Sequence, residues 1–175
     1  MITGTTAKRH LSSRSSHIRR NVLAEGIDMR VKEVMTTSPS CCSPTDTLDR
    51  VAKLMLDHDC GAIPVREGTK LVGMITDRDI TCRGVATGKT PVTVPVSAVM
   101  TKKVFTVRPD DDVETAVDMM KTKMVRRLPV VDDQDNVVGI VAPSDLAPTL
   151  ASNNVADFLL AVSYWNRRPA GRALA

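Results

Sequence analysis

The chain contains two copies of one pattern. Sliding it by 65 residues lays VKEVMT (31–36) on VSAVMT (96–101), SPTDTLDRVAKLM (43–55) on RPDDDVETAVDMM (108–120) and AIPV (62–65) on RLPV (127–130). One extra residue in the second copy moves the offset to 66, and LVGMITDRDI (71–80) then falls on VVGIVAPSDL (137–146). Twelve identities keep their order across the copies. Each copy must therefore be one supersecondary unit, and every later motif is read twice.

Within a copy the periodicities are clear. Leu48, Val51, Ala52 and Met55 fall at i, i+3, i+4 and i+7, as do Val113, Ala116, Val117 and Met120, so each set marks a helix with one buried face. Asp46 with Asp49, and Asp111 with Glu114, are expected to cap these helices. Two short apolar runs follow, Ala62 to Val65 and Leu71 to Thr76, joined by Glu67, Gly68 and Thr69 as a strand pair, with 132–136 as the second copy's turn. A second helix is expected from Asp77 or Arg78 to Ala86, ended by Gly88. Residues 87–98, with Gly88, Pro91 and Pro95, read as a linker.

This order, β-α-β-β-α twice, with Gly-[IVM]-[IV]-x-x-x-Asp closing each copy, resembles the CBS domain, named for cystathionine β-synthase. Two in tandem form a Bateman module. The resemblance spans about residues 29–150 and rests on VMT, [IL]PV and GMITDRDI; TDRDI, HDCGAIPV and MVRRLPV are most similar to stand-alone two-CBS proteins of the mycobacterial hypoxic response type. It implies an α+β fold in which two CBS domains pack about a pseudo-twofold axis. The expected divisions are a flexible basic extension (1–28), a first CBS domain (29–87), linker and second CBS domain (88–150), and a C-terminal helix and tail (151–175).

In that family the clefts between the copies bind adenosine nucleotides in many members. The resemblance places Thr76 and Asp79, from Gly-h-h-[ST]-x-x-Asp, at the ribose, and Ile63 and Pro64 in the h-Pro-h strand. Arg126 and Arg127 would meet the phosphates, where guanidinium forks suit the oxygens. The second copy keeps Asp145 but has Ala142 for Thr and pairs with Gly61 and Ala62 rather than arginines, so one dominant site is expected. The other reading of the same residues stays open: Asp79 can simply cap a helix, and the arginines can pair with acids such as Asp132 or Asp133.

Charge and composition exclude other classes. Of a net charge of +4, residues 29–150 contribute sixteen Lys/Arg against seventeen acids, so the basicity belongs to the tails. Aromatics are 2% of the chain, and three of the four (Phe158, Tyr164, Trp165) lie in the last eighteen residues, so a nucleic-acid face is not expected. No apolar run approaches the roughly 18 residues that cross a bilayer. Cys41, Cys42, Cys60 and Cys82 show no C-x-x-C spacing and fit reduced thiols in a cytoplasm. His58 and Cys60, two apart, leave a metal site as a minor alternative that no paired Cys or paired His motif supports; no nucleophile or carboxylate is fixed near His58 to make it a general base, and Asp110 to Asp112 suit the start of a helix. Residues 151–168 read as a segment with a helix that carries Val155, Phe158, Leu159 and Val162 on one face, Trp165 nearby and Ser152 or Asn153 as cap, docking on the module itself in preference to a separate protein.

The expectation is a non-enzymatic, cytoplasmic regulatory module without a cofactor. It would bind AMP, ADP or ATP and work as a homodimer, because Leu54, Met55 and Leu56, and Met119 with Met120, give the repeat helices more apolar surface than one face needs. The alternative is a structural or protein-interaction dimer with degenerate clefts, acting in stress adaptation.

Overall fold

The computed structural model describes residues 29–163, with the side chains of Ser152 and Asn153 excepted. The basic stretch 1–28, the cap at Ser152 or Asn153, and Tyr164 with Trp165 lie outside the described residues.

The elements run α1 (Val31–Val34), β1 (Thr36–Thr37), α2 (Leu48–Asp57), β2 (Ala62–Glu67), β3 (Lys70–Thr76), α3 (Asp77–Asp79), α4 (Val113–Lys123), β4 (Leu128–Val131), β5 (Val137–Val141), α5 (Pro143–Leu146) and α6 (Ser152–Ser163). The short α3 passes into a π-helical turn, Ile80–Gly84, and a 3₁₀ turn, Val85–Thr87, which ends at Gly88 with φ +78°. Glycine pays no Cβ penalty in that left-handed conformation.

Helices α2 and α4 form where the periodicity places them, burying Leu48, Val51 and Met55 in the first and Val113, Ala116, Val117 and Met120 in the second. Their caps sit one residue later than the sequence suggests: the N-cap residues are Thr47 and Asp112. Asp46 and Asp111 instead close the preceding turns, accepting the backbone N–H of Ser43 and of Arg108, each at 2.7 Å.

Each strand pair is an antiparallel hairpin, β2 with β3 and β4 with β5, carrying a register shift at the matched positions Val65/Arg66 and Val130/Val131. A parallel contact extends each hairpin, Cys42 beside Val65 and Val107 beside Val130. The two hairpin ends meet at an antiparallel bridge between Lys70 and Asn136, which are equivalent residues 66 apart. A pairing of equivalent residues puts the pseudo-twofold axis at that bridge.

The copies also exchange their leading turns. Val31 donates its N–H to the Asp111 carbonyl (2.9 Å), and its match Val96 donates to the Asp46 carbonyl (2.8 Å). Val31 lies wholly within the core built around α4, and Val96 within the core around α2. Burying such a valine is worth roughly 1.5–3 kcal/mol, so each core depends on the other copy. The following threonines repeat the exchange: Thr36 pairs with Ile140, and Thr101 with Met74. Gly73 and Gly139 make room for it. A Cβ on Gly73 would stand 2.8 Å from the Met100 sulfur and 3.0 Å from the Thr101 carbonyl, and one on Gly139 would meet Met35 and Thr36.

Helix α6 docks on the second copy, with Phe158 and Val162 in its core. Leu159, expected on the buried face, is 41% exposed, and Leu160 is exposed beside it. Among the described residues no helix is long and apolar enough to cross a membrane.

Candidate functional site

At the C-terminal end of β3, Thr76 lies opposite Ala62 and becomes the N-cap of α3. Its backbone N–H donates to Asp79 Oδ2 at 3.0 Å and its hydroxyl donates to the same oxygen at 2.7 Å, while the Asp79 N–H donates back to the hydroxyl at 3.2 Å. Thr-x-x-Asp is thus a reciprocal cap. The other carboxylate oxygen, Oδ1, pairs with Arg83 Nη1 at 3.2 Å, and the Asp79 side chain is 13% exposed. Arg83 was not anticipated from the motif, although its i,i+4 spacing from Asp79 on a helix is the signal that finds it.

The second copy has less. Asp145 Oδ2 accepts the Ala142 N–H at 2.8 Å, and alanine offers no hydroxyl. Thr149, which stands where Arg83 does, donates its hydroxyl to the Leu146 carbonyl at 2.7 Å.

Arg126 and Arg127, between α4 and β4, are both exposed, and Arg127 Nη1 donates to the Arg126 carbonyl at 2.8 Å. Neither forms an ion pair among the described residues. Ile63 is fully enclosed in the first core opposite Ile75, and Pro64, opposite Met74, accepts the Cys42 N–H at its carbonyl. The structure therefore joins Thr76 with Asp79 and Arg126 with Arg127. Among the described residues no direct hydrogen bond or ion pair links the arginines to either carboxylate.

A second feature separates the copies. Arg108 Nη1 donates to the carbonyls of Val131 and Asp132, and Nη2 pairs with Asp135 at 3.2 Å. Ser43 holds the matching place in the first copy, and there an open depression of about 380 Å³ is lined by Cys41, Cys42, Ser43, Asp46, Arg66, Glu67 and Gly68. Burial pushes the Cys42 thiol up to about 12, and burial raises Cys41 as well, against the opposing pull of Arg66, so the thiolate form is disfavoured at both. His58 sits exposed at the end of α2 with its backbone N–H on the Leu54 carbonyl. Among the described residues no three His, Cys, Asp or Glu side chains gather as a metal site.

Two interlocked repeats, each closed by an acid-capped turn after its last strand, define the class of fold. The CBS domain family matches residues 31–83 and 96–152, and the chain belongs to it. It is 46% identical over 126 residues to the CBS domain-containing protein YhcV of Bacillus subtilis, covering 72% of this chain and 89% of that one. It is 30% identical over 132 residues to Hypoxic response protein 1 of Mycobacterium tuberculosis, covering 75% and 92%. Among solved structures it is similar to the CBS domain pair of protein MJ0100 in complex with 5′-methylthioadenosine and S-adenosyl-L-methionine, with TM-score 0.63, 29% identity, and coverage of 69% of this chain and 98% of that one. The resemblance drawn from VMT, [IL]PV and GMITDRDI, and the α+β tandem it implied, thus hold.

Proposed function

We propose that the protein is a non-enzymatic regulatory module of the cytoplasm that binds an adenosine nucleotide chiefly at the Asp79 cleft. The observation that carries this is the pair of exposed cations at Arg126 and Arg127. Arg30, Arg50, Arg83 and Arg108 are engaged with carboxylates, at 2.7–3.4 Å, whereas these two, like Arg66 and Arg78, form no ion pair among the described residues, and as adjacent guanidinium groups they suit phosphate oxygens. The binding of adenosine compounds by the MJ0100 pair supports the ligand class. Asp79, fixed by Thr76, supplies the ribose acceptor, and Pro64 with the backbone of Ile63 belongs to the adjoining strand. Asp145, without a threonine or an arginine pair, is the weaker site.

The working unit is a homodimer in this reading. Leu56 on α2 is 78% exposed and Leu160 on α6 is 56% exposed, leaving apolar surface for a second copy. The likeness to Hypoxic response protein 1 supports a role in stress adaptation.

Calorimetry with AMP and adenosine tests the binding reading. Asp79→Ala abolishes AMP binding, Asp145→Ala changes it little, and Arg127→Ala weakens AMP far more than adenosine. Equal losses from the two aspartate variants, or no shift in melting temperature with any adenosine compound, overturn it.

A further inference from the structure

Arg83 stands outside the ribose motif, yet one of its nitrogens faces three acceptors. Nη1 lies 3.2 Å from Asp79 Oδ1, 3.1 Å from the Val99 carbonyl and 3.1 Å from Thr101 Oγ1. A guanidinium NH₂ carries two hydrogens, and these go to the Val99 carbonyl and the Thr101 hydroxyl, so Asp79 is held by charge as an ion pair beside them. The Val99 and Thr101 partners belong to the second copy's leading segment, which is itself held against β3 by reciprocal Met74–Thr101 hydrogen bonds of 2.9 Å. Hydroxyl groups can therefore approach Asp79 Oδ1 without taking a hydrogen-bond partner from Nη1, and the ion pair can stay in place.

We propose that Arg83 is the positioning residue for the Asp79 carboxylate, aiming it at a vicinal diol while anchored on the other repeat. The proposal rests on the ribose reading given above. Thr76 grips Oδ2 through two hydrogen bonds and Arg83 draws Oδ1 by charge, so rotation of the carboxylate about its last bond is opposed at both ends. Its remaining lone pairs then have a fixed direction, which lowers the ordering cost of accepting two hydroxyls. Asp145 has a grip at one oxygen only, and Thr149 turns its hydroxyl to the backbone. The difference between the two clefts is thus one of carboxylate orientation as well as phosphate charge. Arg83 does not touch the ligand; it acts through Asp79.

The test compares AMP with 2′-deoxy-AMP by calorimetry on the full chain, because only the former offers both hydroxyls. Wild type prefers AMP. Arg83→Gln cuts that preference by about tenfold, the order of one charge-assisted contact to the hydroxyl-binding carboxylate, and leaves 2′-deoxy-AMP affinity nearly unchanged. Arg83→Lys restores part of the preference. Thr101→Val, which keeps the ion pair and removes one anchor, lowers it less, and it decides the matter should Arg83→Gln fail to fold. Parallel losses for both nucleotides, an undiminished preference in Arg83→Gln, or an unchanged one in Thr101→Val when that variant is decisive, overturn the role of Arg83 alone. A wild type that binds both nucleotides equally, or neither, overturns the ribose reading of Asp79 itself, and the positioning role falls with it.

Discussion

Set side by side, the two repeats agree where they hold each other and differ where they meet solvent. Gly73 and Gly139, Met100 and Met35, Val96 and Val31, and Asp46 and Asp111 do the same work at matched positions, with hydrogen bonds equal to within about 0.1 Å. The rim mismatches are Thr76 against Ala142, Ser43 against Arg108, and Gly61 with Ala62 against Arg126 with Arg127; Arg83 against Thr149 is a mismatch that reaches from the rim into the exchanged segment. Interlocking requires both copies to keep the same shape, so a change there harms the partner too. The rims carry no such constraint, and one copy can become a site while the other becomes scaffold.

That division can be broken first at a residue found on one side only. Phe158 is 1% exposed in the second core, and among the described residues no α6 side chain belongs to the first. Phe158→Ala is expected to cost about 3–5 kcal/mol in urea denaturation. A loss below about 1 kcal/mol would show that α6 is not part of the core. Matched positions should behave alike. Gly73→Ala and Gly139→Ala each press a methyl group on a methionine sulfur and a backbone carbonyl, at about 1–3 kcal/mol apiece; strongly unequal losses would contradict the equivalence of the two exchanges.

Arg108 sharpens the contrast in the opposite sense. Arg108→Ala removes the hydrogen bonds to the Val131 and Asp132 carbonyls and is expected to cost about 1 kcal/mol, whereas Ser43→Ala should lie within about 0.5 kcal/mol of wild type. Equal effects in thermal melts would mean the guanidinium contributes nothing. The smallest effect concerns charge at the exchanged turns. Lys32 donates to Asp110 at 2.5 Å, holding that carboxyl below its usual range, while Ser97 and Thr45 occupy the matching positions. A depressed folded value means the contact stabilises above the ordinary carboxylate range and is lost as pH falls through the folded value. Wild type should therefore lose slightly more stability than Asp110→Asn as pH falls below about 4, and salt should shrink the gap. Identical acid profiles would show the pair to be neutral.

Much of this was legible from residues alone, and the exceptions have physical causes. Leu48 to Met55 and Val113 to Met120 announced their helices through side-chain spacing, and the strands through short apolar runs broken by polar turns. The exchange of Val31 and Val96 was not legible, since a repeat shows which segments are equivalent but not which of two identical grooves each one enters. The caps moved from Asp46 to Thr47 and from Asp111 to Asp112 because the earlier aspartates satisfy N–H groups three residues upstream. Thr76 and Asp79 were found through their motif, whereas Arg83 acts through acceptors at Val99 and Thr101 that no local pattern reveals. Leu159 fits the apolar helical pattern, yet the core admits Phe158 and Val162 and leaves it in water.

The exchanged leading turns have a consequence for how the chain is made. During synthesis the first hydrophobic core cannot close when the first repeat has left the ribosome, because Val96, Val99 and Met100 still lie ahead. The second then waits for Val31, about eighty residues behind its own helix α4, to swing back into place. Such distant closures are slow and favour a single cooperative step over stepwise assembly. Severed at the segment between the repeats, the two pieces would each lack part of an interior and fold only on meeting, so that neither repeat is a unit of folding even though each is a unit of sequence.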